Sequence, residues 1–257
     1  MIKEMEICME VLSVYKKKYI VDYGNADYYK KLKISALFNY FQDVASLHAE
    51  NLGLGVESLQ ENQGVTWVLV KILVQMDRFP NLNEEITVET WPQEPKKLEF
   101  ERDFIVRDIE GNVIGRAISS WVIMDIEARE IRKTELFPGR FPPFNPVRAI
   151  EGRMGKIKAS GQLQQVYQKV IGYSDIDING HLNNSKYIDY ITDCFSMERH
   201  GQYTVDTIQV SYVSEALAGD KITFYKDIST LGEGTVYVEG VDDEDGKTYF
   251  KACITLK

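Results

Sequence analysis

Six polar residues fall within ten positions of this chain: Asp175, Asp177, Asn179, His181, Asn183 and Asn184. They lie in the stretch Tyr173–Tyr190, Y-S-D-I-D-I-N-G-H-L-N-N-S-K-Y-I-D-Y. A carboxylate can take a proton or orient a partner, an amide can hold a carbonyl or a water, and an imidazole can polarise or relay. Asp177, Asn179 and His181 alternate, so in an extended segment they project to one side. Tyr187, Ile188, Ile191 and Phe195 then recur at helical spacing, which leads the polar run into a helix N-terminus. The free N–H groups and partial positive charge of a helix start suit a carbonyl oxygen turning into an anion. Together these groups predict a hydrolytic centre.

The elements that position this stretch occur twice. The segment Tyr23–Tyr40 overlays it without a gap at an offset of 150 positions: Tyr23 meets Tyr173, Asp27 meets Asp177, Leu32 meets Leu182, Ser35 meets Ser185, and Tyr40 meets Tyr190. A strand around Val14–Val21 precedes it. A helix from Ile34 to about Leu52 follows, with Ile34, Leu37, Phe38, Phe41 and Ala45 on one stripe and Gly53 as its stop. Strand patterns then run over Val65–Phe79, Glu85–Trp91, Leu98–Asp108 and Val113–Asp125 in the first half. In the second they run over Thr204–Val213, Lys221–Ile228, Thr235–Val241 and Thr248–Leu256, with a hairpin signal at Asp245-Gly246. Ile86 falls on Ile222, Gly111 on Gly246 and Ala117 on Ala252, which makes duplication the reading that explains all matches. The acidic run Val241–Gly246 lacks calcium-loop spacing and reads as a solvated hairpin.

Between the copies, Phe137 to about Gly161 holds Pro138, Pro142, Pro143 and Pro146, four of the chain's seven prolines. Such a stretch is an extended linker. The chain therefore divides into an N-terminal domain at 1–136, a basic linker at 137–161 and a C-terminal domain at 162–257. One antiparallel sheet must curl around one apolar helix to bury it. Two copies in one chain can set their sheets edge to edge, like a homodimer. The predicted class is α+β: two tandem hot-dog domains, each a long helix wrapped by a curved antiparallel sheet.

Composition excludes other classes. No run approaches ~18 apolar residues, so no membrane span is expected. A formal charge of −9 disfavours general nucleic-acid binding. Cys8, Cys194 and Cys253 are few and scattered, which argues against a disulfide framework or zinc cluster and for a reducing cytoplasm. The first ten residues carry three glutamates and lack the layout of a signal or transit peptide.

The motif Tyr173–Tyr187 resembles that of the acyl-acyl carrier protein (ACP) thioesterases: aromatic-Ser-Asp-x-Asp-x-Asn-x-His-hydrophobic-Asn-Asn-x-x-Tyr. V-S-Y-V-S-E-A-L-A-G-D resembles a second family element and puts Glu215 in the catalytic glutamate's place. The duplicated layout and Trp91-Pro92 fit as well. The resemblance implies hydrolysis of fatty acyl-ACP to free fatty acid and holo-ACP by a water, with Asp177, Asn179, His181 and Glu215 as the catalytic set. It implies no metal or redox cofactor, because the phosphopantetheine arm arrives with the substrate. Plant members carry a cysteine after the glutamate where this chain has Ala216, so a thiolate route is not expected. The missing transit peptide points to a bacterial, cytoplasmic version, working as a monomeric pseudo-dimer or a homodimer. The same fold also serves acyl-CoA thioesterases and 3-hydroxyacyl thioester dehydratases, which remain the alternatives.

The first half has Tyr29 for Asn179, Lys31 for His181 and Phe79 for Glu215, so one active site per chain is expected. Its Trp67, Leu69, Ile72, Phe38 and Phe41 are candidates for the acyl lining. ACP is acidic, and Arg129, Arg132, Lys133 and Arg140 form the expected docking patch, since local charge outweighs the total beyond a Debye length of ~8 Å. His48 and His200, on or just after the long helices, read as structural.

Overall fold

The computed structural model describes residues 10–139 and 141–257. In the first half, β1 (Tyr15–Ile20) leads to the helix α1 (Ile34–Asn51) and a short helix α2 (Val56–Gln63). Then come β2 (Val65–Met76), β3 (Glu85–Pro92), β4 (Phe100–Arg107), β5 (Val113–Asp125) and the two-residue β6 (Ile131–Arg132). The second half repeats this order: β7 (Gln164–Val170), α3 (Asn184–Asp193), α4 (Met197–Gln202), β8 (Val205–Tyr212), β9 (Lys221–Asp227), β10 (Thr235–Asp242) and β11 (Thr248–Leu256). No helix among the described residues is long and apolar enough to cross a membrane.

All strands join one antiparallel sheet in the order β1-β3-β4-β5-β2-β8-β11-β10-β9-β7, with β6 on β5. The order of the second half is the mirror of the first, so the copies meet where β2 pairs with β8, in a register running from Lys71 opposite Ser211 to Gln75 opposite Thr207. The edge-to-edge joining of two copies is thus what the molecule does. Two unfinished sheets each lose an exposed edge in this way.

The helices lie on the sheet's inner side, with α1 packed against α3. Phe41 of α1 meets Phe104 of β4 with ring centroids 4.8 Å apart, and Tyr190 of α3 meets Phe224 of β9 at 5.8 Å. Each fully buried aromatic of this size contributes roughly 1.5–3 kcal/mol by leaving water. The duplication extends to polar braces: Tyr19 Oη lies 3.4 Å from the Tyr40 carbonyl while donating to Asp43 Oδ2 at 2.5 Å, and Tyr167 Oη donates to the Tyr190 carbonyl at 2.7 Å.

The second helix departs from the expected length. Helical spacing carries as far as Phe195, yet α3 ends at Asp193 with Cys194 as its cap. The chain then restarts as α4, where the Ser196 hydroxyl accepts from the Arg199 N–H. The described residues from 137 to 161 form no helix or strand, and Ala149, Ile150 and Met154 pack against Trp91 and Ile118 of the sheet. Trp91 Nε1 donates to the Val147 carbonyl at 2.9 Å, Ala149 N donates to Asp103 Oδ1 at 2.7 Å, and Gln209 Nε2 donates to the Gly155 carbonyl at 2.7 Å. The acidic hairpin is held by its own Asp242 carboxylate, whose Oδ1 accepts from Glu244 N at 2.8 Å.

Candidate active site

The polar stretch is a tight turn rather than an extended segment. Asp177 N donates to the His181 carbonyl at 2.8 Å, and Gly180 N donates to the Asp177 carbonyl at 3.0 Å. Gly180 has φ +80°, a left-handed value that favours glycine. The Asp177 carboxylate closes the turn, its Oδ1 accepting from Asn179 N at 2.8 Å and His181 N at 3.5 Å. The turn, not strand alternation, therefore brings Asp177, Asn179 and His181 together. Asn183 follows as the N-cap of α3, its Oδ1 accepting from Ser185 N at 2.8 Å.

Glu215 lies three residues past β8. Leu182 N donates to the Ala216 carbonyl at 2.8 Å, and Val213 N donates to the Tyr249 carbonyl at 2.8 Å, which ties this segment to both the turn and β11. His181 Nε2 thereby stands 3.3 Å from Glu215 Oε2, with both side chains about 29% exposed. That exposure leaves room for a water and a substrate to reach the pair.

Two residues of the first half complete the site. Arg129, just beyond β5, forms an ion pair with Glu215 Oε2. Gln60 of α2 donates from Nε2 to Asn179 Oδ1 at 3.3 Å. Neither was visible as a site residue in the sequence, because these partners stand 86 and 119 positions away. The other cations expected in a docking patch are also engaged: Arg132 with Asp125 at 2.5 Å and Lys133 with Glu135 at 3.6 Å, while Arg140 lies outside the described residues.

Asp177, Asn179, His181, Glu215 and Arg129 line one end of a cavity of about 700 Å³. Most of its remaining lining comes from the first half, where Leu54, Trp67, Leu69, Phe100 and Trp121 supply apolar wall beside Ala45 and Ala49 of α1; Phe141 of the linker and Leu182, Tyr187, Tyr212, Val213 and Leu217 of the second half add to it. Trp67 and Leu69 line it as expected. Phe38, Phe41 and Ile72 do not, being packed in the helix–sheet core. Arg102 also reaches the cavity. Its guanidinium donates to His48 Nδ1 at 3.0 Å and to Thr90 Oγ1 at 3.3 Å, with no carboxylate partner among the described residues. Burial, with the Arg102 charge adding to it, lowers His48 to about 4. The ring stays neutral, and its Nε2 is 2.8 Å from the Leu12 carbonyl. His200 likewise sits 3.0 Å from the Thr192 carbonyl, so both histidines hold backbone.

The cysteines stand apart. Burial pushes the Cys194 thiol up to about 12, and burial also raises Cys253. Neither lines the cavity, and Cys8 is outside the described residues. A thiol so raised is not the nucleophile's form.

The arrangement has known relatives. Models of the acyl-ACP thioesterase N-terminal and C-terminal domains match residues 12–135 and 161–256. The chain is 26% identical over 222 residues to the chloroplastic oleoyl-acyl carrier protein thioesterase 2 of Arabidopsis thaliana, covering 80% of this chain and 60% of that protein. It is 29% identical over 184 residues to the palmitoyl-acyl carrier protein thioesterase of the same plant, covering 64% of this chain and 43% of that one. The chain thus spans less than two thirds of these plant relatives. An acyl-ACP thioesterase from Bacteroides thetaiotaomicron superposes with a TM-score of 0.84 at 26% identity, covering 95% of this chain and 98% of that one. The 12:0-ACP thioesterase from Umbellularia californica, at 20% identity and a TM-score of 0.82 over 96% of this chain and 98% of that one, shares the fold. With both domain models matched across nearly its whole length, the chain belongs to the acyl-ACP thioesterase family.

Proposed function

We propose that this protein hydrolyses fatty acyl-ACP thioesters, releasing free fatty acid and holo-ACP. The observation that carries the reading is the His181–Glu215 pair, 3.3 Å apart, lining a cavity whose wall also includes the apolar Leu54, Trp67, Leu69, Phe100 and Trp121. A cavity of this size falls within the range of small-molecule sites. Its shape suits a thioester at the polar end and an alkyl chain in the first half.

In this reading Glu215 accepts a proton from a water held beside His181 and Asn179. The resulting hydroxide attacks the thioester carbonyl. The oxyanion forms near the Asn179 amide and the start of α3, and the C–S bond breaks as the thiolate takes a proton. Water supplies the oxygen of the acid and the hydrogen of the thiol, so no cofactor enters the balance. Asp177 serves mainly by shaping the turn, since its Oδ1 is already committed to two backbone N–H groups.

The division at 1–136, 137–161 and 162–257 belongs to the same proposal, with the first domain holding the acyl chain and the second the reacting groups. The carrier protein is the partner, and the unpaired Cys194 and Cys253 suit a reducing cytoplasm. A thiol-trapping assay on acyl-ACPs of graded length, run beside the matching acyl-CoAs, tests this directly. Free thiol should appear, with higher kcat/KM on the carrier-bound substrates. No thiol release would point to dehydratase chemistry, and equal or better rates on acyl-CoA would move the substrate class.

A further inference from the structure

The second half supplies the reacting groups, yet two of them end on side chains of the first half. Arg129 reaches Glu215, and Gln60 reaches Asn179. The parts carrying these side chains are fastened to each other. Ile126 N, in the turn after β5, donates to the carbonyl of Gly64, the left-handed cap of α2, at 2.9 Å. The turn itself is built on Asp125, whose Oδ1 accepts from Glu127 N at 3.1 Å and Ala128 N at 2.8 Å, while its Oδ2 pairs with Arg132. Arg129 N donates to the Asp125 carbonyl at 3.0 Å, and Arg129 has φ +57°. A β-carbon disfavours that left-handed conformation. A non-glycine residue kept there, in a turn fixed by this many hydrogen bonds, points to a use for the side chain it aims.

We propose that Arg129 is a positioning residue: it holds the Glu215 carboxylate toward His181, and with Gln60 on Asn179 it lets the first half complete the active site of the second. This role rests on Glu215 working as proposed above. Unfixed, Glu215 has three rotatable bonds, and it lines the cavity with its side chain about 29% exposed. The Arg129 guanidinium takes one of its oxygens, Oε2, the same atom that His181 approaches. The contact also pairs the charge of a carboxylate that lines the cavity. Losing the brace misplaces the base rather than removing it, and misplacement by about 1 Å costs on the order of 10²-fold in rate.

The test is a double-mutant cycle on acyl-ACP hydrolysis with Arg129→Gln, Glu215→Gln and the double variant, together with Arg129→Lys. Arg129→Gln should lower kcat by about 10- to 100-fold with KM changed less than about threefold and the melting temperature retained. Arg129→Lys should recover most of that loss, because a point charge can still reach Oε2. In the Glu215→Gln background, Arg129→Gln should cost nothing further, which is the signature of one residue acting through the other. Independent, multiplying losses would overturn the positioning role, as would full activity of Arg129→Gln beside an impaired Glu215→Gln. Full activity of Glu215→Gln would remove the site assignment and this role with it.

Discussion

Two turns related by the duplication, Asp27–Lys31 and Asp177–His181, are built alike and do different things. Asp27 N donates to the Lys31 carbonyl at 2.7 Å and Lys30 N to the Asp27 carbonyl at 3.0 Å, matching 2.8 and 3.0 Å in the second half. Lys30 even takes φ +61° where Gly180 has +80°. Asp27 Oδ1 accepts from Tyr29 N and Lys31 N, each at 2.9 Å, as Asp177 does from its own turn. Leu32 N donates to the Pro80 carbonyl as Leu182 N does to that of Ala216, so Phe79 occupies the place of Glu215. The aspartate common to both turns therefore belongs to the fold. The amide, imidazole and carboxylate found only in the second are the groups proposed for the chemistry.

The pockets beside the turns differ in the opposite sense. Ala45 and Ala49 leave the large cavity open under α1. In the second half, Phe195 and Arg199, past the end of α3, line a space of only about 80 Å³. Each turn also reaches across: Asn179 accepts from Gln60 of α2, whereas Tyr29 Oη donates to the Met197 carbonyl of α4 at 3.0 Å. One half keeps the proposed reactive groups and the other lines most of the room.

The largest expected effect separates the turns by activity. His181→Ala should lower kcat on acyl-ACP by about 10²–10⁴-fold with the fold intact, while Lys31→Ala at the matching position stays within about twofold of the parent. Comparable losses in both would erase the distinction.

Next comes His48, on the part of α1 that outlasts α3. Its folded pKa of about 4 lies below the ordinary 6.5, so the unfolded chain takes the proton first as pH falls. Its contribution is full above pH 6.5 and shrinks toward pH 4, a loss of about 3 kcal/mol. Urea unfolding at about pH 7 and about pH 4 should show a smaller acid loss in His48→Gln than in the parent. Equal losses would mean that His48 is protonated in the native state.

Ala45→Phe should copy the closed pocket of the second half into the first. Its kcat/KM should fall about 10-fold for the longest acyl chains relative to the shortest. A uniform fall would place the chain elsewhere.

The fold was legible because duplicated strand and helix patterns had to meet edge to edge. β7 is the strand that duplication demands opposite β1. The motif residues of the second half and Glu215 were readable as a set, since their spacing is local or matched by the family pattern. α2 was not, because Leu59 is its one buried residue and so short a polar helix shows no apolar stripe. The break after α3 had a local sign in the cap Ser196, masked by the helical spacing of Phe195. Gln60 and Arg129 could not be found locally, since only the β2–β8 junction brings their segments to the turn.

The central claim, one working centre fed by one acyl cavity, is tested most directly by counting sites. An acyl-ACP whose thioester is replaced by an inert thioether, titrated calorimetrically into the enzyme, should bind once per chain and weaken with Ala45→Phe. Two sites per chain, or a single site indifferent to that substitution, would contradict it.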